Sequence, residues 1–186
     1  MNTVKFYNHQ IPSLSGYWLK DIWTWDKVTL EQKHDFIQSL FPLWTPGVAK
    51  AYLLTPQAVN AFKSDPKLLQ NVLHSLIIML NFYGLQITPD GTDVQRITPS
   101  YQVIDGITVG LYATHNYRRI ARMLQFLRII GQEYLAQLLF LGICRDLRAD
   151  LKLRQLVNAS GSLKVWMNIM GLPTVGYDPD QMKKYG

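Results

Sequence analysis

Between Pro66 and Gly84 the chain carries Leu69, Val72, Leu73, Leu76, Ile77, Leu80 and Tyr83. Spacings of three and four residues bring such side chains to one face of an α-helix, and a strand cannot do the same. Ser64-Asp65-Pro66 opens the run with a cap and a proline suited to a first helical turn, and Gly84 closes it. An apolar face this wide predicts a central helix that needs neighbours on more than one side. The rest of the chain has to supply them, and most of it reads with the same period.

Thr29 and Gln32 form a capping-box pattern, and Leu30, His34, Ile37 and Phe41 share a face, so one helix is expected from Thr29 to the stop at Pro42. Trp44-Thr45-Pro46-Gly47 reads as a turn, and Thr55-Pro56 opens a short helix through Phe62. Asn116 is a natural N-cap for a helix ending at Gly131, with Ile120, Met123, Leu124, Leu127 and Ile130 as its core stripe. Further helices are expected over 132–147, 145–154 and 160–170. Residues 85–114 change character: Pro89-Asp90-Gly91 is a turn, and Asp105-Gly106 sets a hairpin signal against the alternative of a long loop. Residues 1–28 read as an irregular arm whose Phe6, Tyr7, Trp23 and Trp25 lie on the core, and 171–186 as a loose tail. The expected fold is all-α: a single-domain bundle over 1–170 with about six or seven helices, with one small β-hairpin near 101–109 as an open alternative to a loop.

A chain of 186 residues, 48% hydrophobic and 17% charged, can bury a proper core without disulfides or metal. Its one cysteine, Cys144, lies among Leu and Ile and reads as an inert buried thiol. It suits a reducing compartment, so a cytoplasmic protein is expected. No apolar run approaches the ~20 residues of a membrane span, and no signal-peptide stretch follows Met1, so the chain reads as soluble. Nucleophile elbows, glycine-rich phosphate cradles and HExxH are absent, and the four histidines show no i,i+4 pair. No cofactor and no metal are expected, and no catalytic mechanism is legible.

One local rule is broken. All eight arginines lie beyond residue 90, and Arg118, Arg119 and Arg122 crowd the start of the helix that follows His115-Asn116, with no acid until Glu133. A helix N-terminus carries roughly +0.5 charge and favours acids. Two remedies offer themselves. One is an anion held by backbone N–H groups and arginine. The other is pairing with carboxylates elsewhere, such as Asp21 or Glu31. Arg118 and Arg122 are expected to face outward and Arg119 to lie half buried on the flank. His34 is either a core histidine or the wall of a cavity facing His115. Nucleic acid ranks second as a partner, because the arginines make only one patch and no helix-turn-helix fits.

Several stretches carry a family resemblance. They are Phe6-Tyr7 with Ile11-Pro12, then Asp21-Ile22, then Leu30-Glu31-x-x-His34-x-x-Ile37-Gln38-x-Leu40-Phe41-Pro42 and Pro46-Gly47. Leu54-Thr55, Phe62, Leu80-x-Phe82-Tyr83-Gly84 and His115-Asn116-x-x-Arg119-Ile120-x-Arg122-x-Leu124 follow in order. Over roughly residues 6–145 the chain resembles the conserved N-terminal domain of the opioid growth factor receptor family. It departs where the family has Trp at Ser39 and Asn at Lys33, and a stand-alone domain without the long C-terminal regions of the animal receptors is expected. The resemblance implies a soluble peptide-binding protein. Animal members bind an enkephalin peptide and associate with the nucleus, but that ligand does not carry over to a stand-alone relative. The motif histidines and their neighbours give the candidate ligand-binding set: His34, Gln38, His115, Asn116, Arg119 and Arg122. The partner is an unknown peptide or small anionic ligand.

Overall fold

The structure is a computed structural model and describes residues 2–45 and 50–174. The turn at Pro46-Gly47 and the tail beyond Thr174 lie outside the described residues. Ten α-helices and two hairpins are present among those described. The first four helices are short: α1 (Asn2–Tyr7), α2 (Leu19–Ile22), α3 (Lys27–Gln32) and α4 (Ile37–Leu40). The arm expected to be irregular therefore contains α1 and α2. Its aromatics do lie on the core. Phe6 and Tyr7 are buried, the Tyr7 hydroxyl donates to the Leu40 carbonyl, and Trp23 stacks on His74 at 4.1 Å.

The central helix is α6 (Pro66–Phe82), preceded by α5 (Pro56–Ser64). The side chains of Thr55 and Asp65 cap their N-termini, accepting from the N–H groups of Ala58 and Lys67. Gly84 turns the chain out of α6 at φ +76°, a conformation that disfavours side chains with a Cβ. The segment after it forms two hairpins rather than one. β1 (Leu85–Ile87) pairs antiparallel with β2 (Val94–Arg96), and β3 (Gln102–Ile104) with β4 (Ile107–Val109). The second is the hairpin signalled by Asp105-Gly106. In the sequence the first shows only as a turn at Pro89-Asp90-Gly91, because its three-residue strands are too short to show alternation.

A 3₁₀ turn (Gly110–Tyr112) then delivers the chain to α7 (Asn116–Ile129), followed by α8 (Glu133–Ala149), α9 (Leu151–Ala159) and α10 (Ser162–Ile169). The expected helix over 145–154 is split at Asp150, whose carboxylate accepts from the Leu153 N–H and starts α9. α7 packs against α8 and α10, and α8 also covers β2. Arg96 of β2 forms an ion pair with the buried Asp146 of α8 and donates to the Tyr83 carbonyl, so one guanidinium joins three elements. The core runs continuously from Phe6 to Met167. No helix among the described residues is long and apolar enough to cross a membrane.

Helix α8 approaches β2 closely at Gly142, where an added Cβ would stand 2.7 Å from a methyl of Val94. Gly142→Ala should therefore destabilise the fold. Overpacking costs about 1–3 kcal/mol and outweighs the ~1 kcal/mol helix preference of Ala. Urea titration would show a lower midpoint, and adding Val94→Ala, which removes the obstructing methyls, should recover part of that loss. An unchanged midpoint in Gly142→Ala would refute the close approach.

Candidate functional site

The site begins with a helix that stops early. Asp26 caps α3 by accepting from the Thr29 N–H at 2.7 Å, so the cap is not Thr29. After Gln32 the chain turns extended at Lys33 and resumes helical structure only at Ile37. The single helix expected over 29–41 is thus two, and His34 sits in the break, exposed, not on a buried stripe.

Stopping α3 leaves carbonyls without helical partners. Arg119 of α7 takes them. Its Nη1 donates to the Leu30 carbonyl at 2.8 Å, and Nη2 to those of Lys33 at 2.7 Å and Glu31 at 3.4 Å. Only 4% of Arg119 is exposed, and its guanidinium also lies over the rings of Phe36 and Phe82. Burial lowers its pKa, but a guanidinium remains a cation in a protein. A cation at a helix C-terminus is favourable, and α3 has no basic residue in its own last turn. One turn further along, Arg122 Nε donates at 2.8 Å to the carbonyl of Phe41, the C-cap of α4. Arg122 therefore points inward, contrary to the sequence expectation, and burial brings its pKa down to about 10.

The acid missing from the first turn of α7 comes from α3. Glu31 is 3% exposed, and its Oε1 lies 2.6 Å from His115 Nε2. Its Oε2 accepts from Asn116 Nδ2 at 3.1 Å and from the Gly110 N–H at 3.4 Å. Burial alone would raise the Glu31 pKa. The bonds from His115 and Asn116, with the charges of His115 and Arg119, outweigh it and hold the carboxyl below its usual range. Asn116 is not the N-cap, a position taken by His115. It is the first helical residue, fully buried, with Nδ2 shared between Glu31 and the Gly110 carbonyl at 2.9 Å.

Arg119 Nη2 also stands 3.2 Å from His34 Nδ1. A guanidinium has donors only, so Nδ1 must carry the lone pair. This assigns His34 as the neutral ring with its proton on Nε2. Burial, then the charges of Arg119 and His115, depress the His34 pKa in the same sense. The rings of His34 and His115 lie 5.1 Å apart at 88°.

Both rings open on a cleft of about 380 Å³. His34, Gln38, His115, Arg119 and Arg122 of the expected set line it, whereas Asn116 sits behind it. Asp35, Ile37 and Arg118 complete the lining. The Gln38 amide, oriented by its neighbours, donates to the carbonyls of His34 and Asp35 at 3.1 Å, bracing the break. Glu31 is the residue the candidate set lacked. Its signal was present: an acid-free first turn in α7 requires an acid from elsewhere, and Glu31 lies three residues before His34. Cys144 is remote from this chemistry, and burial pushes its thiol up to about 12.

Neighbouring arginines should behave very differently on truncation. Arg119→Leu strands three backbone carbonyls, at about 1.5–3 kcal/mol for each charged hydrogen bond lost, so a loss of about 3 kcal/mol or more is expected. Arg118→Ala, at an exposed position, should stay within about 0.5 kcal/mol of the parent. Denaturant titration of the two variants checks this, and equal losses would contradict it. Glu31 supplies a pH signature. Its depressed pKa stabilises the fold above the unfolded carboxyl range and is lost as pH falls through the folded value. Glu31→Gln should flatten the stability–pH curve below about pH 5, where an ordinary Glu begins to titrate. Parallel curves for parent and variant would contradict the assignment.

No solved structure matches this chain. The conserved region of the opioid growth factor receptor matches residues 1–166. The Homo sapiens opioid growth factor receptor is 34% identical over 137 residues, covering 70% of this chain and 20% of the receptor. The Mus musculus receptor is 32% identical over 143 residues, covering 72% and 22%. Opioid growth factor receptor-like protein 1 of Rattus norvegicus is 28% identical over 138 residues, covering 72% and 29%. The chain spans between a fifth and three tenths of the length of these curated relatives. The match runs from α1 through most of α10 and includes every residue of the cleft, so the chain belongs to the opioid growth factor receptor family.

Proposed function

We propose that this domain is a binding module whose cleft, between the α3–α4 break and the start of α7, receives a peptide or small anionic ligand. The observation that carries this reading is the convergence of His34 and His115, 81 positions apart in sequence, on one cleft of about 380 Å³ with arginines in its lining. A pocket near this size, with a few convergent polar groups, is the usual form of a small-ligand site. The relatives' designation as receptors points the same way. In this reading His34, His115 and Arg118 meet the ligand. Arg119, Asn116 and Glu31 hold the walls, and Arg122 and Gln38 brace α4. The C-terminal carboxylate of a peptide is one group such a cleft could take.

A thermal-shift screen of peptides and small anions tests it. A ligand at 100 times its dissociation constant stabilises the fold by about 2.7 kcal/mol. The shift should shrink in His34→Ala and in Arg118→Ala. Equal shifts in parent and both variants would remove the cleft from ligand binding.

One observation favours a second reading, an enzyme. Glu31 fixes His115 through Nε2 and leaves Nδ1 without a partner among the described residues, the arrangement of an oriented general base. Among the described residues the cleft lining offers no Ser, Thr, Cys or Lys nucleophile, and in this reading His115 acts by activating a water. Turnover of p-nitrophenyl acetate that falls about 10²–10⁴-fold in His115→Ala would establish this reading. Rates equal in the two proteins would dismiss it.

A further inference from the structure

Resting on the binding reading above only for what it controls, we infer that His34 is a proton-operated gate in the cleft wall: the neutral ring docks Nδ1 on Arg119 and stands against His115, and the protonated ring turns away from both. The starting point is a contact that one protonation state alone can make. Arg119 Nη2 and His34 Nδ1 lie 3.2 Å apart. The guanidinium brings donors only and keeps its charge, so Nδ1 must supply a lone pair. A proton on Nδ1 removes that lone pair and sets N–H against N–H, with a cation on each side.

Burial decides which side yields. Arg119 is 4% exposed, its Nη atoms hold the carbonyls of Leu30, Glu31 and Lys33, and it lies over the rings of Phe36 and Phe82. It cannot withdraw without opening the end of α3. His34 is exposed and lies in the break between α3 and α4. Its ring can turn into solvent with little packing lost. Protonation therefore moves His34 and leaves the caps of α3 in place. Because His34 lines the cleft, its departure takes away one wall.

The charges around the ring favour the neutral, docked state. On the cationic side α7 supplies His115, Arg118, Arg119 and Arg122 to the same lining. On the acidic side stand Glu31 of α3 and Asp35 of the break. Glu31 already spends its oxygens on His115, Asn116 and Gly110. Asp35 can attract a protonated ring, but it does not restore the contact with Arg119. Lys33 lies over the Tyr17 ring, and Tyr83, which feels the Arg119 charge, stays protonated because burial raises its pKa. Desolvation first, then Arg119 and His115, hold the His34 pKa below its usual value against the pull of Glu31 and Asp35. The sign follows from linkage. As pH falls through about 6.5 the unfolded chain takes this proton first, so the docked fold loses stability until the folded midpoint is passed.

NMR of the histidine rings in the whole chain, between about pH 5 and pH 8, tests the gate, with His34→Gln to assign the signal. At neutral pH His34 should carry its proton on Nε2, and its midpoint should lie below the 6.5 of an ordinary imidazole. Cross-relaxation between the His34 and His115 rings, whose centroids are 5.1 Å apart, should vanish below that midpoint. A proton on Nδ1 at neutral pH, a midpoint at or above 6.5, or a ring contact that survives acid each overturns the gate. Stability against pH is the second measurement. His34→Gln sits at an exposed position and keeps an acceptor for Arg119 at every pH, so it should lose less stability than the parent as pH falls below about 6.5. Parallel curves overturn the gate as well. No ligand enters either measurement, so the gate can fail while the binding reading stands, and the ligand screen can fail while the gate stands.

Discussion

Helices α3 and α7 exchange buried charges. Each lacks the ionised residue its own terminus calls for, and each receives it from the other. Arg119 leaves α7 to meet the C-terminal carbonyls of α3, and Glu31 leaves α3 to meet His115 and Asn116 at the start of α7. Both partial charges of the two helix dipoles are thereby answered inside the fold. Neither charged group could be buried alone, because an unpaired ion in a low-dielectric interior is strongly unfavourable. Arg119 is satisfied by carbonyls, a histidine nitrogen and two aromatic faces, and Glu31 by three donors. The exchange is stable only as a set.

The set also explains why the N-terminal helices can be so short. A six-residue helix and a four-residue helix are far below the ~12 residues at which isolated helices become even marginal in water. Their packing is what keeps them, with Leu30, Phe36, Ile37, Leu40 and Phe41 all buried. Arg119 and Arg122 then satisfy the carbonyls those early stops leave open. Without these caps, continuing the helix from Thr29 to Phe41 would satisfy the carbonyls internally. His34 would then ride on a helix side, and Gln38 would not hold the turn open. The cleft is a consequence of the break, and the caps stabilise the break.

Much of the outer frame was legible in the sequence. Thr55-Pro56, Asp65-Pro66, Gly84 and Gly131 mark helix ends by local chemistry that tertiary contacts do not override, and α5, α6 and the end of α7 fall there. The motif residues His34 and His115 do meet. What the sequence concealed was the depth at which each side of a helix is buried. At 100° per residue, position 122 lies 40° from 118 and 60° from 119, so it sits between them on the surface of α7. Periodicity orders these three arginines around the axis, and it cannot say where α4 will lie. The neighbour is a chain segment some eighty residues away, and it decides that Arg118 is exposed, Arg122 half buried and Arg119 buried. The α3–α4 break was hidden for the same reason. No glycine or proline marks it, and its cause is a guanidinium in another part of the chain.

That division of labour bears on how such a cleft could recognise anything. Side chains that must be ordered when a ligand arrives cost affinity, and groups already fixed do not. Here Arg119 fixes the tautomer of His34, and Glu31, itself oriented by Asn116 and Gly110, fixes the ring of His115. Two imidazoles thus hold a defined angle, and His34 a defined tautomer, before any ligand enters. Arg118, exposed in the lining, has rotamer freedom left to lose. If the cleft binds as proposed, the most deeply buried arginine would serve recognition without touching a ligand, because its donors are already spent in setting the wall.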